Sequence, residues 1–254
     1  MNWDIPIGEL VAIMLGAARA GAWLMLCPPF NSRLIPSQVK VLLSIGLALP
    51  MAPYLTSTVP IIETSAIIAS AVLQIFIGAA LGFITFLFFA AIQAAGDLID
   101  VFGGFTLAAA YDPLSQNQSS VFGRFYNLVA VTLLFASDGH QMVLRGFMQS
   151  YKTLPLDANF SMETFSKLLT SGIGEMFVAA LQIAGPLIAV LFLTDVAFGL
   201  LNRVAPALNA FQLGFPAKIL LVLTLSGTAI AILPRALDGL IDKAVVAVVR
   251  LAGG

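Results

Sequence analysis

Long apolar runs separated by short polar connections make up almost the whole chain. A helix needs about 20 apolar residues to cross a bilayer, and most of the runs approach or exceed that length. The runs extend over Leu10–Cys27, Val39–Met51, Ala66–Ala95, Val121–Ala136, Phe177–Leu201 and Phe211–Leu233. Strand-like alternation of apolar and polar residues does not occur over any useful length. The pattern therefore predicts an all-α protein of the integral membrane type.

The lengths of these runs fit a bilayer poorly. Val39–Met51 is too short for a clean span, whereas Ala66–Ala95 would form a helix about 45 Å long against a hydrocarbon core of about 30 Å. Lys and Arg also show no sidedness, because alternate connections hold five and six of them. Either these spans are not the true ones, or the chain does not sit in lipid as a simple six-helix bundle, and both can hold.

Prolines indicate where helices end and where they bend. Those at the ends of the early runs are Pro28, Pro29, Pro36, Pro50, Pro53 and Pro60, and they delimit helical hairpins. Pro186, Pro206 and Pro216 fall within or beside the later runs, where kinks are expected unless neighbouring helices or water satisfy the freed carbonyls. Ser161–Leu169 and Arg235–Arg250 are amphipathic and are predicted to form short surface helices. The predicted fold thus consists of long, kinked helical hairpins.

Composition excludes several functional classes. Hydrophobic residues make up 59% of the 254 positions and charged residues only 10%, which is outside the usual balance of soluble domains. A net charge of −1 gives no electrostatic reason for nucleic-acid binding. Asp138 and the single histidine, His140, are the only candidates for a catalytic relay, and with Gly139 they are more typical of a turn at a helix end. We therefore predict no catalytic residues, no metal site and no cofactor.

Two further features inside the apolar runs indicate contacts with protein rather than lipid. Arg19, Asp195 and Arg203 would each cost at least about 2.5 kcal/mol in lipid without a partner or water. We expect these charges to be buried against protein, including other subunits, or to line a wet pathway. Gly78 and Gly82 form a GxxxG pattern that lets two helix backbones approach closely, within the chain or between subunits.

One polar stretch interrupts the apolar pattern. Ala108–Phe125, AAAYDPLSQNQSSVFGRF, carries Ser, Gln and Asn side chains and only one charge before Arg124, that of Asp112. Asp112 and Pro113 form a dipeptide that commonly starts a turn. Four phenylalanines flank the stretch: Phe102, Phe105, Phe122 and Phe125. By residue type alone, the stretch is typical of an exposed turn.

Three segments carry a family resemblance. They are IGAALGFITFLFFAAIQAAGDLIDVFGGFTLAAAYDP, LLFASDGHQMVLRGFMQSY and LTDVAFGLLNRVAPALNAFQLGFPAK. Together they closely resemble the FliR family of flagellar export-gate proteins. Residues 200–218 are the most specific part, and the Gly-Phe-Pro there resembles the flagellar branch rather than the injectisome SctT proteins. The resemblance covers nearly the whole chain, although residues 1–60 match mainly in hydropathy and proline placement.

This resemblance implies a subunit of the flagellar type III export gate. FliR-type proteins assemble with several copies of FliP and FliQ into a helical, cone-shaped hetero-oligomer inside the MS ring of the basal body. The implied location is the bacterial inner membrane, with the gate raised toward the periplasm, FlhB at its base and FlhA at its cytoplasmic side. Unfolded flagellar proteins pass through the central channel, so the implied role is not enzymatic.

The resemblance also implies a division of the chain. Residues 1–254 form one export-gate domain, in which about 1–175 are FliP-like and 176–254 form a FliQ-like hairpin with a C-terminal amphipathic segment. A loop over residues 111–120 would plug the closed channel, and it comprises Tyr111, Asp112, Pro113, Leu114, Ser115, Gln116, Asn117, Gln118, Ser119 and Ser120. Uncharged polar side chains can seal a pore without the solvation cost of charges, and the four phenylalanines would anchor the loop ends. The rival interpretation is an autonomous small transporter or channel, which intramembrane charges and proline-broken helices also suit.

Overall fold

The computed structural model describes residues 6–60, 63–106, 120–157, 160–206 and 210–251. Within these ranges the chain forms helices joined by short turns, and no strand occurs in them. In chain order the helices are α1 (Ile7–Leu26), α2 (Ser37–Ala48), a 3-10 turn (Leu49–Met51), α3 (Ala52–Thr56), α4 (Thr64–Gly103), α5 (Val121–Ala136), α6 (Gly139–Thr153), α7 (Met162–Val204) and α8 (Ala210–Leu251). The predicted all-α fold is confirmed.

Several of these helices are membrane spans by length and composition. In the part of the chain that the structure describes, four stretches qualify: Ile7–Leu26, Ser37–Thr56, Thr64–Gly103 and Met162–Val204. The two parts of α8, Gln212–Gly227 and Ile230–Leu251, would add a fifth span if they are taken together. Val39–Met51 is too short by itself, but α2, the 3-10 turn and α3 together give a stretch of 20 residues. The structure therefore agrees with a membrane protein.

Helices α4, α7 and α8 are longer than the apolar runs from which they were predicted. They contain 40, 43 and 42 residues, which corresponds to about 60 Å or more at the rise of an α-helix. The prediction of a separate surface helix at Ser161–Leu169 is wrong, because residues from Met162 onward form the start of α7. Arg235–Arg250 lies in Ile230–Leu251, the part of α8 that follows its bend. Gly172 and Gly174 follow Ser161–Leu169. Each glycine costs only about 1 kcal/mol in a helix, which is too little to end α7 when long apolar turns follow.

The prolines of the later runs do not all act as predicted. Pro186 lies inside α7, and Pro216 and Pro234 lie inside α8, whereas Pro206 follows the end of α7. The bend in α8 falls between Gln212–Gly227 and Ile230–Leu251, well beyond Pro216. It adjoins the turn that Pro234 weakens, because Pro234 leaves the carbonyl of Ile230, four residues earlier, without its helical hydrogen bond. A proline removes one backbone hydrogen bond, and the turns on both sides can keep the helix continuous.

The chain divides into two compact units, and each is assembled from separate parts of the sequence. The first unit comprises Met1–Phe88, Asp138–Ile173 and Ile241–Gly254, and the second comprises Phe89–Ser137 and Gly174–Leu240. Each unit contains residues from both sides of position 175. The division into FliP-like and FliQ-like parts near that position stays a prediction.

The first unit is built on a close contact between α1 and α4. A Cβ at Gly78 would overlap the carbonyl oxygen of Arg19, and one at Gly82 would lie 2.9 Å from the carbonyl oxygen of Trp23. Only glycine permits this approach of the two backbones. Trp23 itself is fully buried and stacks on Phe147 of α6, with the ring centroids 4.4 Å apart. The GxxxG face is thus directed at a helix of the same chain.

Candidate functional site

The candidate site consists of the two chain ends that flank the polar stretch between α4 and α5. Tyr111–Ser119, nine of the ten residues predicted to plug a channel, lie outside the described residues. Ser120 and the four flanking phenylalanines are described. The side chains that hold the two ends all belong to the second unit.

Ser120 begins α5 and connects it to α4. Its Oγ accepts a hydrogen bond from the Gly123 N–H at 2.7 Å, which makes Ser120 the N-cap of the helix. The same hydroxyl donates to Oδ2 of Asp100, and that oxygen also accepts the Phe122 N–H at 3.0 Å. Asp100 lies in α4 and is only 1% exposed. A side chain of α4 therefore completes the hydrogen bonding at the start of α5.

The electrostatics of this junction favour carboxylates. The first turn of a helix presents N–H groups without intrahelical acceptors, together with the positive end of the helix dipole. Asp97, one turn before Asp100, is half-buried, and its Oδ1 lies so close to Gly123 that a Cβ there would overlap it. A Cβ at Gly96 would likewise overlap the carbonyl oxygen of Phe122. The hydrogen bonds of Asp100 and a close backbone crossing thus hold the first turn of α5 against α4, with Asp97 packed beside Gly123.

The four flanking phenylalanines differ in their surroundings. Phe105 and Phe122 pack edge to face, with ring centroids 5.3 Å apart, and Phe122 contacts Phe125 at 6.4 Å. Phe122 is buried, whereas Phe102 and Phe125 are 37% and 41% exposed. The contact of Phe105 with Phe122 brings the two ends of the polar stretch together.

Lys218 of α8 contacts the end of the stretch that follows α4. Its Nζ forms an ion pair with Oδ1 of Asp195 in α7 and lies 3.4 Å from the carbonyl oxygen of Phe102. The Lys218 side chain is 17% exposed and that of Asp195 is 51% exposed. A cation suits the C-terminal end of a helix because the last carbonyls are unpaired there and the dipole is negative. Lys218 thus connects the end of α4 to both α7 and α8.

The three charges that we expected to be buried have different surroundings. Arg19 is fully buried in the first unit. Asp195 is exposed apart from its ion pair with Lys218, and Arg203 is exposed. The described part of this chain therefore does not bury Asp195 or Arg203. Their role in subunit contacts stays a prediction.

Arg19 joins three helices of the first unit. It donates from Nε to Oε1 of Gln74 at 2.7 Å, from Nη1 to the Ser150 carbonyl oxygen at 3.0 Å and from Nη2 to the Leu154 carbonyl oxygen at 2.7 Å. Ser150 lies in the last turn of α6 and Leu154 follows it, so the cation also suits the helix dipole. The guanidinium lies 4.9 Å from the ring centroid of Tyr151, and burial raises the pKa of that phenol. These contacts identify Arg19 as a structural residue.

Asp138 and His140 lie at the start of a helix. Asp138 precedes α6 with a φ of 58°, a conformation that Asp tolerates better than most residues, and its Oδ1 accepts a hydrogen bond from Nε2 of Gln141 at 3.1 Å. The described residues include no group of three or more His, Cys, Asp and Glu placed to hold a metal ion. Asp138 is thus part of the short turn between α5 and α6.

The sequence interpretation missed Asp100, Gln74 and Lys218 as contact residues. Asp100 follows the apolar run Ala66–Ala95 and was not recognised as part of the same helix. A signal was present, because glycines lie four residues before Asp100 and three residues after it, at Gly96 and Gly103. Residues at these spacings share one helix face, and small residues there indicate a close helix contact.

Comparison with known proteins reveals similarity over most of the chain. A family model described as bacterial export proteins, family 1, matches residues 10–244. The flagellar biosynthetic protein FliR of Pectobacterium carotovorum subsp. carotovorum is 35% identical over 235 residues, covering 92% of this chain and 89% of the relative. The FliR protein of Escherichia coli (strain K12) is 33% identical, covering 79% and 77%. That of Bacillus subtilis (strain 168) is 31% identical and covers 82% of each chain.

Proposed function

The chain belongs to the FliR family of bacterial export proteins, and we propose that it is a subunit of a flagellar protein export gate. Membership of this family makes it a flagellar biosynthetic export protein. The finer proposal is that it forms a channel with FliP and FliQ through which unfolded flagellar proteins pass. In the closed gate, residues 111–120 plug that channel.

The observation that carries the proposal is the anchoring, at both ends, of a polar stretch that contains a single charged residue. Asp100 and Ser120 hold the end that enters α5, and Lys218 contacts the end that leaves α4. Between these anchors the sequence offers hydrogen-bonding side chains with a single charge, Asp112. Such side chains can seal a pore and release it without the solvation cost of moving several charges.

The proposed surroundings follow from family membership. The partners are FliP and FliQ in the gate, FlhB and FlhA at its cytoplasmic side, and the MS ring of the basal body. The proposed location is the inner membrane, with the gate raised toward the periplasm. About 1–175 would supply the FliP-like part and 176–254 the FliQ-like hairpin, and half-exposed Asp195 and exposed Arg203 would then face other subunits.

Deletion of Leu114–Ser119 tests the plug. The variant should still copurify with FliP-type and FliQ-type subunits, and cells that express it should leak small ions or solutes. A second variant that replaces the same residues with glycine and serine keeps the length of the stretch. Leakage in both variants would assign the seal to the side chains, and leakage in the deletion alone would assign it to length.

Two outcomes would count against the proposal. Unchanged conductance of an assembled deletion variant would remove the plug role. Failure of the unmodified chain to copurify with FliP-type and FliQ-type subunits, together with solute transport when it is reconstituted alone, would favour an autonomous transporter. The ion pair of half-exposed Asp195 with Lys218 is the observation that supports the autonomous transporter as a second candidate.

A further inference from the structure

The carboxylate of Asp100 is buried at a point where α4 meets the start of α5. One of its oxygens, Oδ2, accepts from both the Ser120 hydroxyl and the Phe122 N–H. The other, Oδ1, is also buried and has no hydrogen-bond partner among the described residues. Burial of a carboxylate is costly unless its hydrogen bonds compensate, so the two donors of α5 are a condition for placing an acid here.

The donors come from the part of α5 that has no partners inside its own helix. Phe122 and Gly123 lie in the first turn, where backbone N–H groups lack intrahelical acceptors. Ser120 accepts from Gly123 and donates to Asp100, so a single hydroxyl serves as helix cap and as link to α4. Asp100 accepts the Phe122 N–H directly. The Phe122 amide is thus bonded directly to Asp100 of α4, and the Gly123 amide is connected to it through Ser120. Without these bonds both amides would exchange freely with solvent.

We propose that Asp100 is a positioning residue that latches the first turn of α5 to α4 and so determines where the polar stretch ends. The functional consequence of this latch rests on the proposed export-gate function, in which the polar stretch closes the channel. The latch itself concerns only described residues and can be tested without any channel measurement. It predicts that Ser120 matters because it donates to Asp100, not only because it caps a helix.

Two substitutions of Ser120 separate these roles. Asp is as good an N-cap as Ser, whereas Ala is a poor one. If capping alone matters, Ser120→Asp should resemble the unmodified chain and Ser120→Ala should be impaired. If the latch matters, Ser120→Asp should be the worse of the two, because it cannot donate to Asp100 and places a second carboxylate against the first.

A conservative substitution should keep the latch. Ser120→Thr retains the hydroxyl that donates to Oδ2 of Asp100 and accepts the Gly123 N–H, and Thr is also a good N-cap. A general loss of packing would not spare this variant, because Thr adds a methyl group at the same part-buried position.

Hydrogen exchange of the full chain in mild detergent provides the readout. We expect the Phe122 and Gly123 amides to exchange at least about tenfold faster in Ser120→Asp, because hydrogen bonds to charged groups are lost. Ser120→Thr should exchange within about twofold of the unmodified chain, since its hydroxyl keeps both hydrogen bonds. Ser161 is the matched control, because its Oγ accepts the Thr164 N–H at 3.1 Å before α7 and donates to Oγ1 of Thr164 instead of a carboxylate. Ser161→Asp should leave exchange in its own first turn unchanged.

Each result decides between the two roles. Exchange in Ser120→Asp at the rate of the unmodified chain would overturn the latch, and so would a loss of protection in Ser120→Thr as large as that in Ser120→Asp. Conductance of the assembled gate is then measured for the same variants. Hydrogen exchange can support the latch while an assembled gate that lacks Leu114–Ser119 does not leak. That combination would refute the channel plug and leave the latch in place.

Discussion

Replacement of Arg19 by Met should destabilise the first unit by a measurable amount. Met keeps an unbranched apolar stem, is shorter than Arg and removes all three hydrogen bonds. The Ser150 carbonyl oxygen keeps a second donor, the Leu154 N–H at 2.9 Å. The acceptors left without the guanidinium are therefore Oε1 of Gln74 and the carbonyl oxygen of Leu154.

The expected magnitude follows from these two buried acceptors. An unsatisfied buried polar group costs about 1–3 kcal/mol, so two of them cost about 2–6 kcal/mol. Removal of a buried guanidinium also removes its desolvation cost, so we expect the lower part of that range, about 2–4 kcal/mol. A domain is stable by only about 5–15 kcal/mol, and the change is therefore large. Arg19→Lys should also destabilise, because one ammonium cannot match the planar fork that reaches acceptors on two helices.

Denaturant unfolding in mild detergent can measure this effect through Trp23 fluorescence when the other tryptophan, Trp3, is replaced by Phe in every variant. Trp23 is fully buried in the same unit, so its emission reports the loss of that core. Arg203→Met is the control, because Arg203 is exposed and the free energy of unfolding should change by less than about 0.5 kcal/mol. An Arg19→Met variant as stable as the control would show that the desolvation cost of the guanidinium cancels its hydrogen bonds, and would refute the reasoning.

Three further predictions concern other contacts. Gly78→Ala should lower the apparent melting temperature, because overpacking against the α1 backbone costs about 1–3 kcal/mol, whereas Gly174→Ala, with nothing within 4 Å of a Cβ, should not. A double-mutant cycle of Lys218→Met and Asp195→Asn should give a coupling free energy of about 1 kcal/mol or less, because the carboxylate is half exposed. A coupling of several kcal/mol would mean that another subunit buries the ion pair. Burial raises the pKa of Tyr151, so the unfolded chain ionises first and the free energy of unfolding should fall as the pH rises above about 10. Tyr151→Phe should reduce this pH dependence, and an identical profile for the two chains would contradict the assignment.

Much of the fold was predictable because apolar runs and helices follow from local sequence. Six apolar runs indicated helices, and the helical class follows from them without knowledge of any contact. The ends of the long helices were not predictable, since tertiary packing supports polar turns beyond an apolar run. Asp97 and Asp100 extend α4 past the end of Ala66–Ala95 because α5 supplies donors for Asp100.

The candidate site was located from sequence, but its contacts were not. The polar stretch and its four phenylalanines are visible in the sequence, whereas the pairing of Phe105 with Phe122 depends on where α4 and α5 cross. Arg19 and Asp195 were both singled out as charges in apolar runs. Hydropathy could not distinguish Arg19, which is buried among uncharged acceptors, from Asp195, which is half exposed beside Lys218.

The sequence by itself determined the helical membrane class, the family and the position of the polar stretch, because each depends on residue order alone. Only the tertiary structure decided that Gly78 and Gly82 face α1 and that Asp100 accepts a hydrogen bond from the first turn of α5. Such partners lie tens of residues apart in the chain, and their approach is set by the packing of whole helices. That packing is a property of all the side chains together, so no local pattern contains it.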